Sequence, residues 1–384
     1  MTAGAPTRKH VYLDHAASTP MHPEAAEAMQ HYMAAEFANP SGAHGPARSA
    51  RRVIDESRDV VAEIIGCAPG EVVFTSGGTE GANAAVLGAV RRGGGRAVCP
   101  AAEHHAVLHC VEHTGGSVVP VTADGTVDIA ALSAELRRGG TGVVSVMAVN
   151  NEVGSVNDMA AVAATVRRDA PGAVLHSDAV QAACWIDLRG LWPHLDVLTL
   201  SAHKFGGPKG AGVMVIRDGT PLEPLILGGG QERDRRSGTL NVAGIAGTTV
   251  ALAVTNSRRA DEHARLGALR TRLIEQITSG VECASQTVPG DSSVPGVAHV
   301  CFEGLESESL LFLLDEQGIS VSAASACASG AMESSHVLAA MGVPASRMMG
   351  SVRFSLGHTT TREDVDLAAV AAVESARRLL GARK

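Results

Sequence analysis

Short apolar runs that alternate with helix-length stretches constrain the fold of this chain more than any other feature. The runs are 71-EVVFTS-76, 96-RAVCP-100, 143-VVSVMAV-149, 173-AVLHSDA-179, 197-VLTLS-201 and 212-GVMVI-216. Helical stretches accompany them, such as 47-ARSARRVIDESRDVVAEIIG-66, 80-EGANAAVLGAVRR-92 and 158-DMAAVAATVRRDA-170. Nearly continuous apolar strands that alternate with helices predict an α/β fold, in which a mostly parallel sheet is covered by helices on both faces.

The pattern changes after about residue 255. Two long helical stretches, 259-RADEHARLGALRTRLIEQI-277 and 364-DVDLAAVAAVESARRLL-380, then surround a few shorter strand-like runs. A chain of 384 residues is long enough for one large domain and a smaller one. We therefore predict a large domain over residues 15–255 and a small α/β domain formed by residues 1–14 and 256–384.

Composition and charge exclude several classes of protein. The net charge is −8 and the basic residues are scattered, so we expect no nucleic-acid partner. The N-terminal stretch has no apolar core of signal-peptide length, and no segment approaches the length of a membrane span, so we expect a cytoplasmic protein without a membrane partner. Seven cysteines without a CxxC pair argue against a disulfide scaffold or a zinc ribbon, and we predict no metal site.

The polar residues that could do chemistry follow the predicted strands. They are the turn 76-SGGT-79, the pair 150-NN-151, Asp178, and 203-HK-204, each placed after a different apolar run. Ligands of open parallel sheets bind outside the carboxyl ends of the strands. We therefore expect four loops to converge on one site at this edge.

Lys204 lies in 201-SAHKFGGPKG-210, a polar turn between two apolar runs. Only four of the 32 basic residues of the chain are lysines, so this position has kept lysine against a strong bias to arginine. Arginine cannot replace lysine where a deprotonatable amine is needed. An amine nucleophile is therefore one interpretation of Lys204.

Two further features suggest what this amine would act with. A strand followed by 76-SGGT-79 and a helix offers glycine amides and a helix N-terminus, which suit a phosphate group. Asp178 follows an apolar strand, where a carboxylate is costly without a cationic partner, although it could also be a helix cap. A phosphate cradle, a carboxylate and an amine together suggest pyridoxal 5'-phosphate, whose ring acts as an electron sink when its nitrogen stays protonated.

The chain resembles the cysteine desulfurases, which are pyridoxal-phosphate enzymes of the class V aminotransferase type with the fold type I architecture. The motifs that carry the resemblance are 12-YLDHAASTP-20, 39-NPSGAHG-45, 76-SGGTEGAN-83, 103-EHHAVL-108, 150-NNEVG-154, 176-HSDAVQ-181, 201-SAHKFGGPKG-210, 228-GGGQERDRRSGT-239, 320-SVSAASACASG-330 and 352-VRFSLGH-358. They cover nearly the whole chain, and their order makes the set specific. The family often has an alanine where this chain has Gly78.

The resemblance implies a role for each matching residue. Lys204 is implied to be the Schiff-base lysine, Asp178 the partner of the pyridine nitrogen, and His104 the imidazole that stacks on the ring and assists proton transfer. The phosphate-binding positions are matched by Gly78, Thr79, Ser201 and His203, and by Thr239, which in the family reaches the cofactor of the neighbouring subunit and so implies a homodimer. Gln181 matches the side chain near the phenolic oxygen of the cofactor, Asn151 matches a residue that contacts cofactor and substrate, and Arg353 matches the arginine that binds the substrate carboxylate.

Cys327 lies in 322-SAASACASGAMESS-335, a run of small residues that is typical of a mobile loop, which we place at about 320–335. From the sequence alone it could be an incidental exposed thiol. The resemblance implies instead that it is the nucleophile that attacks the substrate sulfur, on the longer type of loop found in one group of these enzymes. Such a loop would carry a persulfide to a sulfur-acceptor protein.

These roles predict an enzyme that converts L-cysteine to L-alanine and leaves the sulfur on Cys327. Two alternatives stay open at this point. Cofactor residues alone do not separate a desulfurase from a selenocysteine lyase or a β-lyase of another sulfur amino acid on the same fold. A non-catalytic sulfur-relay or scaffold protein is the alternative of another class, and the intact set of Lys204, Asp178, His104, Cys327 and Arg353 counts against it.

Overall fold

The structure, a computed structural model, describes residues 10–323 and 335–382. Its strands are β1 (Val11–Tyr12), β2 (Val72–Thr75), β3 (Arg96–Pro100), β4 (Ser117–Val119), β5 (Thr141–Ser145), β6 (Val174–Asp178), β7 (Val197–Ser201), β8 (Gly212–Ile216), β9 (Ala284–Gln286), β10 (Val297–Phe302), β11 (Ile319–Ser320) and β12 (Ser351–Ser355). Its helices are α1 (Pro23–Ala34), α2 (Gly45–Ile65), α3 (Gly78–Gly93), α4 (His105–His113), α5 (Ile129–Leu136), α6 (Met159–Asp169), α7 (Leu188–Leu191), α8 (Val242–Gly280), α9 (Ser307–Glu316), α10 (His336–Ala340), α11 (Ala345–Met348) and α12 (Arg362–Gly381).

Seven strands form the large sheet, in the spatial order β2-β8-β7-β6-β5-β3-β4. Strands β7, β6, β5, β3 and β4 are parallel neighbours, whereas β8 is antiparallel to both β7 and β2. The carboxyl ends of β2, β3, β6 and β7 therefore meet at one edge of the sheet. This arrangement confirms the predicted α/β fold with a mostly parallel sheet.

Successive side chains of the central strands enter two different cores. Val143 and Val197 pack into a core with residues of α3 and α4, and their neighbours Val144 and Leu198 pack into a second core with residues of α2, α5 and α6. Successive side chains of a strand point to opposite faces of its sheet, so a sheet that helices cover on both sides needs apolar residues throughout. Burial of both faces of the sheet therefore explains the continuous apolar runs of the sequence.

A separate core lies against the smaller sheets. Strands β9, β10 and β12 form an antiparallel sheet in the order β12-β10-β9, and β1 pairs with β11 in parallel. Their buried residues pack with α9, α12 and the C-terminal half of α8. Helix α8 has 39 residues and joins the two regions, because Leu252 packs in the large core and Leu266 in the smaller one.

The predicted division of the chain into 15–255 and its remainder places a boundary inside α8, and it stays a prediction. The predicted strand over 143–149 is shorter in the structure, since β5 ends at Ser145. Strand β4 was not predicted. Within the described part of the chain, no helix combines the length and the apolar character that crossing a membrane requires.

Candidate active site

A cavity of about 340 Å³ lies at the edge of the large sheet where the parallel strands end. It collects residues from the strand ends and from the region of the smaller core. The predicted residues that line it are Gly78, Thr79, His104, Asn151, Asp178, Gln181, Ser201, His203, Lys204 and Arg353. The structure thus brings together the predicted site residues with two exceptions, Thr239 and Cys327.

Lys204 follows β7 and is held by the backbone of the N-terminal segment. Its Nζ donates hydrogen bonds to the carbonyl oxygens of Ala16 at 2.6 Å and Ala17 at 2.9 Å. Gln181 Nε2 donates to the same Ala16 oxygen at 2.8 Å. The segment 16–17 therefore fixes the amine relative to the other groups of the cavity.

Asp178 is the last residue of β6 and is buried. Its Oδ1 accepts a hydrogen bond from the backbone N–H of Val180 at 2.9 Å. Burial raises the pKa of this carboxyl group to about 6, and the charge of Lys204 opposes the shift to a smaller extent. A cation placed against Asp178 would restore its ionised form, because opposite charges favour each other in a desolvated site.

His104 is the N-cap residue of α4, and its Nδ1 accepts a hydrogen bond from the N–H of Ala106 at 3.0 Å. Burial, followed by the positive charge of Lys204, lowers the pKa of this imidazole to about 4. The ring is therefore neutral at physiological pH. Since Nδ1 accepts a bond, the proton of the neutral ring is on Nε2.

The site expected to bind a phosphate lies at the start of α3, which begins at Gly78. The first N–H groups of a helix have no partner inside the helix and are suited to bind an anion. Beside them, Ser201 Oγ and His203 Nδ1 are hydrogen-bonded at 3.0 Å. A Cβ atom at Gly78 would collide with the Val180 side chain, which explains why this chain has glycine here.

Arg353 lies on β12 and is almost fully buried, with 4% of its surface exposed. Its Nη1 donates to the carbonyl oxygen of Asn151 at 2.7 Å, and its Nη2 donates to Asp14 Oδ1 at 2.9 Å. The buried Nε–H has no acceptor among the described residues. An unpaired buried donor costs about 1–3 kcal/mol, so an anionic ligand in the cavity would gain from binding it.

The remaining two predicted residues lie elsewhere. Thr239 is exposed and lines a different cavity, together with Ser76 and Asn241. Cys327 lies outside the described residues, which end before it at Ala323 and resume at Ser335.

Sequence reasoning also missed residues that belong to the site. Asp14 pairs with Arg353, the carbonyl groups of Ala16 and Ala17 bind Lys204, and Ser322 lines the cavity. The motif 12-YLDHAASTP-20, one of those that carry the resemblance, contains Asp14, Ala16 and Ala17 and is the sequence signal for them. Ser322 had no comparable signal.

Comparison with known families agrees with this geometry. The model of the family described as aminotransferase class-V matches residues 11–367. The chain belongs to this family. An IscS-like cysteine desulfurase of Mycobacterium tuberculosis is 42% identical over 93% of this chain and 94% of its own length. Within the class V aminotransferases, the chain is therefore a member of the cysteine desulfurases, as the resemblance implied.

Solved structures show the same relation. The structure described as a NifS-like protein has a TM-score of 0.87 and 33% identity, covering 95% of this chain and 99% of its own. A structure of SspA in complex with cysteine has a TM-score of 0.75 and 30% identity, covering 90% of this chain and 98% of its own. These similarities confirm the fold predicted for the whole chain.

Members of the family depend on pyridoxal 5'-phosphate, and the residues of the cavity fit this cofactor. Lys204 offers the amine, and the buried Asp178 needs the cationic partner that a protonated ring nitrogen provides. The start of α3, where only glycine fits, offers backbone donors to a phosphate. The cavity thus offers groups that suit the ring nitrogen and the phosphate of the cofactor.

Proposed function

We propose that this protein converts L-cysteine to L-alanine as a pyridoxal-phosphate-dependent cysteine desulfurase and holds the sulfur as a persulfide on Cys327. The observation that carries the proposal is the single cavity in which Lys204, Asp178, His104 and Arg353 lie together. Membership of the cysteine desulfurases supports it. A related solved structure was obtained with cysteine, which supports the choice of substrate.

Each residue of the cavity has a task in holding the cofactor. Gly78, Thr79, Ser201 and His203 would bind the phosphate, and Gln181 and Asn151 would contact the ring substituents and the substrate. Asp178 would bind the ring nitrogen, and neutral His104 would lie on the ring face. When bound, pyridoxal phosphate supplies an electron sink for the charge that develops on the substrate carbon.

Arg353 would orient the substrate through its carboxylate. The guanidinium already donates to Asn151 and Asp14, which fixes its plane, and the unpaired Nε–H is available for an acceptor. Guanidinium groups bind carboxylates through two parallel N–H bonds, which fixes orientation as well as position. With the carboxylate held, Lys204 would take the proton from the α-carbon, and His104 would assist the transfer through Nε2.

The sulfur step uses the thiolate of Cys327 as nucleophile. Its sulfur forms a bond to the substrate sulfur, while the bond between that sulfur and the β-carbon breaks and its electron pair stays with the carbon. The β-carbon gains a proton and is reduced, and the Cys327 sulfur is oxidised to the persulfide, so no external oxidant is needed. Five peptide bonds separate Cys327 from Ser322 on the cavity wall, so covalent geometry limits the distance between their Cα atoms to about 18 Å.

We also propose that the enzyme is a homodimer in the cytoplasm that passes its sulfur to an acceptor protein. Thr239 supports the dimer, because it is exposed on its own chain and does not line the cavity that the other phosphate-binding residues share. In a dimer it would reach the phosphate bound by the partner subunit.

A product assay tests the proposal. The purified holoenzyme is incubated with L-cysteine and a reductant, and alanine, pyruvate and sulfide are quantified together. We expect alanine in the same amount as sulfide, and we expect Cys327→Ala to abolish both. Cys283→Ala is the matched control, because Cys283 is a partly exposed free thiol outside the cavity, and it should keep full activity.

Other products would change the assignment. Pyruvate together with sulfide would indicate a β-lyase and would remove any role for Cys327. Faster turnover of selenocysteine, with little alanine from cysteine, would indicate a selenocysteine lyase. A protein that binds the cofactor but turns over neither amino acid would point to a relay or scaffold protein.

A further inference from the structure

Both ends of the chain segment that carries Cys327 are attached next to Arg353. At the N-terminal end, the backbone of Ser322 pairs with that of Arg353 in both directions. Arg353 N–H donates to the Ser322 carbonyl at 2.8 Å, and Ser322 N–H donates to the Arg353 carbonyl at 3.2 Å. Ser322 also lines the cavity. This end is therefore fixed to the residue proposed to bind the substrate carboxylate.

The C-terminal end is attached through the side chain of Ser335. Its Oγ donates a hydrogen bond to Glu152 Oε2 at 2.5 Å and accepts one from the N–H of Leu338 at 3.1 Å. Ser335 and Glu152 are each only 5% exposed. Ser335 and the Glu152 carboxyl group meet where water is excluded, and a hydrogen bond there is electrostatically stronger than one at the surface, so this contact is a firm attachment.

Glu152 connects this attachment to Arg353. The residue before it, Asn151, accepts the Arg353 Nη1 bond through its carbonyl group. The N–H of Glu152 donates to Asn150 Oδ1 at 2.8 Å, which holds the turn in place. The two attachments therefore both lead to Arg353, one through its backbone and one through the turn that binds its side chain.

Helix α10, which begins directly after Ser335, is packed onto the same loops. Val337 and Leu338 are buried with Ala102 and Val153. His336 Nε2 is 2.9 Å from the carbonyl oxygen of Glu103, next to His104. The chain that leaves the cysteine-bearing segment is thus docked against the loops that hold His104 and Asn151.

A buried carboxyl group at this place needs an explanation, because a pair of neutral side chains would attach α10 with a smaller desolvation free energy. Burial opposes the charged form of Glu152, and the Ser335 hydroxyl is its one hydrogen-bond donor to the side chain among the described residues. The positive charge of Arg353 opposes the shift that burial causes in the pKa of Glu152. Glu152 therefore interacts electrostatically with Arg353 and also binds Ser335. Attachment of α10 alone would not require the interaction with Arg353.

We infer that Glu152 and Ser335 are positioning residues for the sulfur step, because their hydrogen bond fixes Ser335, the first described residue after Cys327, to the turn that binds Arg353. This inference rests on the proposed function. It assigns to the pair no contact with the substrate or the cofactor. The pair acts through Cys327.

The experiment separates the sulfur step from the chemistry that precedes it. Alanine formation from L-cysteine in a single turnover requires Cys327, whereas exchange of the α-proton of L-alanine in D₂O, followed by NMR, requires Lys204 and the cofactor but no thiol. We expect Ser335→Ala and Glu152→Ala each to slow alanine formation at least tenfold and to leave the exchange rate within twofold. Glu152→Gln keeps an acceptor oxygen for Ser335 and should stay within threefold of the wild type.

Ser346→Ala is the matched control, since Ser346 Oγ donates to Glu303 Oε1 at 3.0 Å on the exposed surface. It should change neither rate. The double variant Ser335→Ala with Glu152→Ala should be no slower than Ser335→Ala alone, because Glu152→Ala removes a bond that Ser335→Ala has already removed. A third readout needs no turnover: iodoacetamide should alkylate Cys327 of the cofactor-free Ser335→Ala protein about threefold faster than in the wild type.

Three results would overturn the inference. Alanine formation within twofold of the wild type in Ser335→Ala would show that the bond has no effect on the sulfur step. Equal losses of alanine formation and α-proton exchange would show that the bond supports the whole cavity. Additive losses in the double variant would show that the two side chains act independently. If the wild type forms no alanine while the exchange persists, the proposed function fails instead, and the alkylation rates alone then decide the positioning role.

Discussion

Replacing Arg353 with lysine tests how the cavity would hold the substrate carboxylate. Lysine keeps the positive charge and can still pair with Asp14, but it loses the planar arrangement of N–H groups. In the native protein two of those groups bind Asn151 and Asp14, and the Nε–H has no acceptor among the described residues. The substitution therefore removes the fork that we expect to bind the carboxylate and leaves the charge.

The size of the effect follows from the bonds that are lost. A hydrogen bond to a charged group contributes about 1.5–3 kcal/mol. If lysine keeps one of the two bonds to the carboxylate, Arg353→Lys should weaken binding of L-cysteine about 10- to 150-fold, since each 1.4 kcal/mol is a factor of ten. Arg353→Ala should weaken it further, because both bonds and the charge are removed.

Dissociation constants measured in a Cys327→Ala background, in which no sulfur is transferred, give the cleanest comparison. Binding of L-cysteine and of cysteamine, which lacks the carboxylate, is followed through the visible absorption of the cofactor. We expect Arg353→Lys to weaken L-cysteine by the stated factor and cysteamine by less than threefold. Arg347→Lys, at an arginine that binds Ser285 outside the cavity, is the control. Equal weakening of both ligands would refute the carboxylate assignment.

Three further substitutions test the charges of the fold. Asp178→Asn should lower the rate of alanine formation about 150- to 5,000-fold and weaken retention of the cofactor on dialysis, because the loss of one partner of a buried charge pair costs about 3–5 kcal/mol. Burial raises the pKa of the Glu152 carboxyl group from 4.5 to about 7, so the folded state binds the carboxyl proton more tightly than the unfolded state does. The stability that this proton contributes is complete below pH 4.5 and is lost as the pH rises through 7. Glu152→Gln should therefore unfold in urea with a free energy about 3 kcal/mol above that of the wild type at pH 8.5 and with no such excess at pH 4. An excess at both values would contradict this account. Arg58→Ala, which leaves the buried Glu232 without its 2.7 Å partner, should lower the free energy of unfolding by about 3–5 kcal/mol in the same assay, whereas Arg51→Ala in an exposed pair should cost less than about 1 kcal/mol.

The sequence predicts the large sheet well because its physical signals are local. Short, mostly apolar runs that are buried on both sides, such as those of β2 and β7, occur in a covered sheet, and the polar residues that follow them then meet at one edge. Strand β4 has only three residues, Ser117–Val119, and follows two glycines, so its run is too short to distinguish from a loop. Residues 146–149 are apolar because they are buried, although β5 has already ended.

Long-range features carry no local signal. The apolar pattern of α8 faces one core over its first half and another over its second half, so the sequence predicts a helix only over 259–277, whereas the structure has one continuous helix over Val242–Gly280. The pairing of Asp14 with Arg353 joins residues at opposite ends of the chain, and no spacing could predict it. Thr239 requires a second chain before its role can be judged, which a single sequence does not provide.

The two carbonyl groups that hold Lys204 have a consequence for mutagenesis of this enzyme. Ala16 and Ala17 contribute through the backbone and already carry methyl side chains, so an alanine scan leaves both positions unaltered. A survey of which side chains are tolerated at these two positions would report the space around Cβ. It would not detect the hydrogen bonds that the carbonyl oxygens accept from Lys204. Only a change in the peptide backbone itself, such as an ester in place of the amide that follows each residue, weakens the oxygen as an acceptor and makes this part of the active site visible to experiment.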